Sequence, residues 1–177
     1  NRFSLSSDGS MLFLAGQESS VISYDIPDLH QVQEYYGQIE SPESIGITSN
    51  GRSLVASDSY VDGFEIWNAQ SGENVTAILL GSHWNDDIKF SPDSKTFVAL
   101  GRDNNIRLYD VATSKLITEV PGSSFSYILA NPKFYWSEDG NKIAWDGLNS
   151  NKEKILQIWD MLKKSKNTIS EDDIAFN

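Results

Sequence analysis

Two recurrences and one alternation in the 177-residue sequence predict an all-β fold, a β-propeller of four-stranded antiparallel blades with about four blades present. The turn residues Asp8, Asn50, Asp93 and Asp139 recur at intervals of 42, 43 and 46 residues. The pairs Tyr24-Asp25, Trp67-Asn68, Tyr109-Asp110 and Trp159-Asp160 recur at 43, 42 and 50. Between these markers apolar residues come in short runs closed by turn residues, whereas helical repeats would space them every three to four residues.

The clearest copy runs from Ile88 to Asp110. It reads as a strand, a turn at Pro92-Asp93-Ser94, a second strand, a turn at Asp103-Asn104-Asn105 and a third strand ending in Tyr-Asp. Lys115 to Glu119 adds the fourth strand. In the first copy, Arg2 to Leu5 and Met11 to Leu14 flank the Ser7-Asp8-Gly9-Ser10 turn, where Gly9 suits a positive φ and the Asp8 carboxylate can accept from the amides after it. Val21 to Tyr24 and Gln31 to Tyr35 follow. The second copy offers Ile45 to Ile47, Ser53 to Ser57, Phe64 to Trp67 and Asn74 to Leu79, and its Asn50-Gly51 pair is the strongest short hairpin signal. The fourth has Lys133 to Trp136, Lys142 to Trp145 and Ile155 to Trp159, with strand character in its last segment only from Asn167 to Ser170. Asp172 to Asn177 lies over Asp86 to Ser91, so it reads as the first strand of a further blade. The expected division is therefore a single partial propeller over 1–177, with blades at about 1–40, 41–82, 83–127 and 128–171, and 172–177 opening another. A closed four-bladed ring is the alternative. As an arc, the chain would expose two blade flanks for the remaining blades or for a second copy.

Composition bounds the function. Hydrophobic residues at 39% and aromatics at 11% support a packed core, and a net charge of -11 makes the surface acidic. Phosphate contacts need clustered Lys and Arg, so direct binding to nucleic acid or an anionic membrane is disfavoured. Lys163, Lys164 and Lys166 form the only basic cluster and read as a solvated turn. With no cysteine, disulfides, thiolate metal sites and cysteine nucleophiles are excluded. No apolar run reaches the length of a membrane span, and the expected compartment is the cytoplasm.

The FSPD run at Phe90 to Asp93, the RDNNIRLYD run from Arg102 to Asp110 and the Trp67-Asn68 and Trp159-Asp160 pairs resemble the WD-repeat family over nearly the whole chain. The resemblance implies a propeller that serves as a platform in multi-protein assemblies. Its usual Gly-His pair has only a shifted echo at Gly81-Ser82-His83, and Ala99 stands where a small hydroxyl residue is expected, so the family's buried His, Ser or Thr, Asp and Trp network is incomplete. Lactonase-like or quinoprotein-like propellers, enzymatic or ligand-binding, remain the alternative, as does a regulatory propeller fused to a signalling or catalytic domain.

An antiparallel blade puts its first and third turns on one face and the other loops on the opposite one. The first turns are uniformly tight. The second-to-third-strand loops are expected to differ, with Gly101 to Asn104 short, Asp58 to Gly63 longer and Asp146 to Lys154 longest, and Pro121 to Pro132 is the most extended connection between blades. Binding residues gather on loops held by a rigid frame. Tyr60, Trp84, Arg102, Phe125 and Tyr127 are therefore the candidate protein-binding residues, of the types enriched at hot spots; packing between blades is the competing role for the aromatics. The expected partner is a protein or peptide with a basic patch. No catalytic residue, cofactor or metal site is expected. His83 beside Asp86 and Asp87 reads as positional, because Asp172-Asp173 repeats the acidic pair without a histidine. His30 reads as a turn residue, and Tyr24, Trp67, Tyr109 and Trp159 as core between blades.

Overall fold

Alternating side chains on short strands bury one row on each side of a sheet, and stacked sheets follow from that pattern. The computed structural model describes residues 2–16, 20–38, 42–58, 63–79, 88–100, 103, 105–121 and 134–170, and every regular element among them is a β-strand. The first sheet contains β1 (Phe3–Leu5), β2 (Met11–Ala15), β3 (Ser20–Asp25) and β4 (Gln31–Tyr36). The second contains β5 (Pro42–Ile47), β6 (Ser53–Asp58), β7 (Gly63–Asn68) and β8 (Asn74–Leu79). The third contains β9 (Ile88–Phe90), β10 (Thr96–Leu100), β11 (Asn105–Asp110) and β12 (Leu116–Pro121). The fourth contains β13 (Phe134–Trp136), β14 (Lys142–Leu148), β15 (Lys154–Asp160) and β16 (Ser165–Ser170). Each sheet is antiparallel in chain order, and β1, β5 and β9 approach one another along the inner side.

Three buried clusters fill the junctions. Phe13, Val21 and Tyr35 of the first sheet meet Ile45, Leu54 and Trp67 of the second. Val55, Phe64 and Ile66 then meet Phe97 and Tyr109 of the third, with the Phe64 ring 5.0 Å from Phe97 and 4.9 Å from Tyr109 in edge-on contact. Val98, Ile106 and Leu108 meet Ile143 and Trp145 of the fourth. The blades thus stack face to face through opposite faces of each sheet, as propeller blades do.

Three of the four outer strands carry a device against edge pairing, whereas β16 pairs with β15 without a slip. In β4, β8 and β12 the register slips by one residue, leaving Val32, Val75 and Ile117 as the extra residue of a bulge, each largely exposed. A bulge twists an edge out of the flat geometry that another strand needs.

Three expectations need correction. The second and third strands of the fourth blade extend beyond Trp145 and before Ile155, because Asp146 pairs with Leu156 and Gly147 with Ile155, so the loop narrows to 149–153. Asn149 closes it by accepting from the amides of Asn151 and Glu153 through Oδ1. The loops 16–19, 59–62 and 101–104 are equal in length, so these hairpins do not differ as the sequence suggested. The last strand begins at Ser165 and not Asn167. It is polar because an outer strand is solvated.

Candidate functional site

A hydroxyl, a carboxylate or amide and a left-handed residue make each first turn. Ser6, Thr48, Ser91 and Ser137 donate to Oδ1 of Asp8, Asn50, Asp93 and Asp139 at 2.6, 2.8, 2.7 and 2.6 Å. The same oxygens accept the backbone amides of Ser10, Arg52, Lys95 and Asn141. The fourth residue has φ near +70° at Gly9, Gly51 and Gly140, and Ser94 adopts +63° in their place. Ser94 uses its side chain across the blade junction: its Oγ accepts the Asn50 amide and lies 2.6 Å from Ser49 Oγ. Ser7 Oγ donates to Ser49 O, and Ser49 Oγ to Pro92 O, so hydroxyls latch the first turn to the second blade and the second turn to the third. The donors on Oδ1 hold the Asp8 and Asp139 carboxyls down at about 2, with the Ser6 and Ser137 hydroxyls the leading causes, and lower Asp93 in the same sense.

The third turns share this face. Asp25, Asn68, Asp110 and Asp160 cap them, accepting the amides of His30, Gln70, Thr113 and Leu162 at 2.8, 2.9, 2.7 and 3.0 Å. A cleft of about 490 Å³ opens on this face between the first two blades. Asp8, Ser10 and Met11 line it from one side, Asn50 and Gln70 from the other, and Phe13 closes its floor.

Between the blades lie polar side chains that sequence reading missed. Glu65, Arg107 and Gln157 occupy one equivalent position, two residues before the aromatic of the third strand, and all are buried. That recurring offset was the available signal. Glu65 accepts the Gln38 amide at 2.6 Å and the Asn74 side-chain amide at 3.2 Å, and burial pushes its carboxyl up. Arg107 clamps Asp103 through both terminal nitrogens and donates to Glu119 from Nε at 3.0 Å, which holds its guanidinium charged. Gln157 accepts the Trp145 indole N–H at 2.9 Å. Each buried polar group therefore has a partner chosen for its own chemistry.

The five expected contact residues, Tyr60, Trp84, Arg102, Phe125 and Tyr127, lie outside the described residues, as does the His83 to Asp87 run. His30 closes the third turn of the first blade, as expected. With Asp25 and Asp28 it forms the one group of possible metal ligands among the described residues, all ligand atoms within 4.8 Å. Asp25 there already serves as the cap that Asn68, Asp110 and Asp160 provide in the other blades. Of the third-strand aromatics, Trp67 and Tyr109 are buried between blades, whereas Tyr24 and Trp159 are half-buried.

The chain is similar to autophagy-related protein 16 of Arabidopsis thaliana, 23% identical over 169 residues that make up 93% of this chain and 32% of that protein. A coronin-like protein of Saccharomyces cerevisiae is 20% identical over 169 residues, covering 86% of this chain and 25% of its own. Coronin-7 of Mus musculus is 26% identical over 144 residues, 78% of this chain and 15% of its own. These likenesses and the four antiparallel four-stranded sheets agree with the expected resemblance to WD-repeat propellers. The chain spans about a third or less of the curated relatives it matches. No model of a protein family matches the chain. Among solved structures, Kuenenia stuttgartiensis hydrazine synthase superposes with a TM-score of 0.77 at 22% identity over 96% of this chain and 49% of its own, a likeness of fold alone. Trp67 of the second blade donates its indole N–H at 2.9 Å to Tyr36 O of the preceding blade.

Proposed function

We propose that the chain is a non-enzymatic scaffold whose face opposite the latched turns receives a protein partner. The observation that carries this reading is the distribution of length variation. First turns repeat the same hydrogen bonds, and the third turns and hairpins each differ by at most one residue in length, while the blade-to-blade segments 37–41, 80–87 and 122–133 grow progressively longer. Trp84, Phe125 and Tyr127 fall in the longer two, and Tyr60 and Arg102 in hairpins of the same face. The likeness to WD-repeat proteins supports protein binding in general, and the net charge of -11 favours a partner with a basic patch. The cytoplasm is the compartment this reading assumes.

The test is affinity capture of the parent protein from its own cell extract, with co-purifying proteins quantified by mass spectrometry. A stoichiometric partner should disappear from the Tyr60→Ala, Trp84→Ala double variant while the melting temperature stays unchanged. Undiminished capture by that variant would remove the proposed surface.

A further inference from the structure

We propose that the cleft between the first two blades on the latched-turn face binds a lysine side chain of a partner polypeptide, with Asp8 as its counter-ion. This site lies on the face opposite the scaffold surface proposed above and does not rest on it.

Asp8 engages only one of its two carboxylate oxygens among the described residues. Its Oδ1 is filled by Ser6 Oγ, Ser10 N and Ser10 Oγ, whereas its Oδ2 accepts no hydrogen bond from the described residues. The carboxyl is an anion throughout the physiological range, and no Lys, Arg or His is among the described residues lining the cleft. The other blades show how this position is otherwise neutralised. In the second blade Asn50 replaces the aspartate. In the third, Lys95 follows the turn and brings its ammonium to 3.6 Å from Asp93 Oδ2. The residue equivalent to Lys95 is Arg52 in the second blade but Ser10 in the first. In the fourth, Asn141 takes that place and the cation acting on Asp139 is Lys142. The first blade alone pairs its aspartate with a small neutral residue and no described cation beside it, leaving room for one from outside.

The remaining features select the ligand. One open oxygen suits the point charge of an ammonium; an arginine fork uses both oxygens of a carboxylate, and Oδ1 is already occupied. Met11, Phe13, Val32 and Ala69 supply apolar wall for the methylene stem, a common division of a lysine between apolar surface and charge. The acidity of the whole chain favours a polypeptide source of that lysine through steering.

The test uses ¹⁵N-labelled protein and N-acetyl-lysine N-methylamide as probe, followed through the amide resonances of Ser10, Gly51 and Gln70. We expect saturable shifts at these amides, absent with the Nε-acetylated probe. Asp8→Asn should weaken binding about tenfold, the weight of one charge-assisted hydrogen bond, and should keep the turn, because Asn50 holds the same turn in the second blade. Ser10→Lys should weaken it comparably by supplying an internal ammonium in the manner of Lys95. No saturable shift, equal binding of the acetylated probe, or undiminished affinity in both variants would overturn the proposal. Equal affinity for butylamine would assign the cleft to free alkylamines and overturn the polypeptide source.

Discussion

Asp139 and Glu65 carry carboxyls displaced in opposite directions, and the two shifts set opposite dependences on pH. Asp139 stands at about 2, held there first by the Ser137 hydroxyl and then by the Asn141 amide. A folded value below the unfolded one gives stability that is present above about pH 4 and lost as pH falls through about 2. The melting temperature should therefore drop between about pH 4 and pH 2, and Asp139→Asn should make that drop shallower while preserving the turn, as Asn50 does in the second blade. Thermal melts across that interval decide the point. Glu65 is raised chiefly by burial, so its contribution is fullest below the ordinary carboxylate range and is lost as pH climbs through its folded value. Gln at this position keeps an acceptor for Gln38 N, and Asn74 can turn its amide to accept in return. Glu65→Gln should accordingly gain stability relative to the parent as pH rises from about 4 to about 8, read as the difference in denaturant midpoint; a constant difference would show that Glu65 is not desolvated. Residue identity was easy to read where it made a turn and hard where it made a buried pair. Asp8 and Gly9 act on their own neighbours, whereas Glu65 depends on Gln38, 27 positions away and in another blade.

At the scale of the element, the strands were legible because alternation and turn residues are local. The fourth blade escaped because Asp146 and Gly147 have loop chemistry yet sit in register opposite Leu156 and Ile155, where packing of the neighbouring strand residues decides. The third-strand aromatics look alike in sequence but differ in surroundings. Trp67 is fully buried, edge-on to Tyr35 with ring centroids 6.3 Å apart, and hydrogen-bonded through its indole. Trp67→Ala should cost about 3 to 5 kcal/mol. Tyr24 occupies the equivalent place, half-buried on a face that no sheet among the described residues covers, and Tyr24→Ala should cost about 1 kcal/mol. Chemical denaturation of both variants tests the ordering, and equal losses would mean that the first blade is covered in solution.

At the scale of the whole molecule, one face of the first sheet and one of the fourth are covered by no other sheet among the described residues. Phe3 and Leu5 on the first blade are 60% and 51% exposed, and Tyr135 on the fourth is 60% exposed. The equivalents of Phe3 at interior junctions, Ile45 and Ile88, are buried. Such faces favour association. Sedimentation velocity should show mass rising with concentration, and Leu5→Lys with Tyr135→Lys should move that rise to about tenfold higher concentration, each change removing buried apolar area from the contact. A wild-type profile in the double variant would place the association elsewhere. The repeat, and hence the architecture, could be read from spacing alone, but the cleft beside Asp8 could not: it arises where three turns and an outer strand, separated in sequence, close on one volume. The bulges at Val32, Val75 and Ile117 add a direction to this behaviour. Three bulged outer strands that refuse new strands, and end faces that welcome new faces, bias growth toward one axis, from blade to blade. Crowding the protein should therefore lengthen a native-like stack that mild detergent can dissolve, and not seed the hydrogen-bonded fibres that unguarded sheet edges produce.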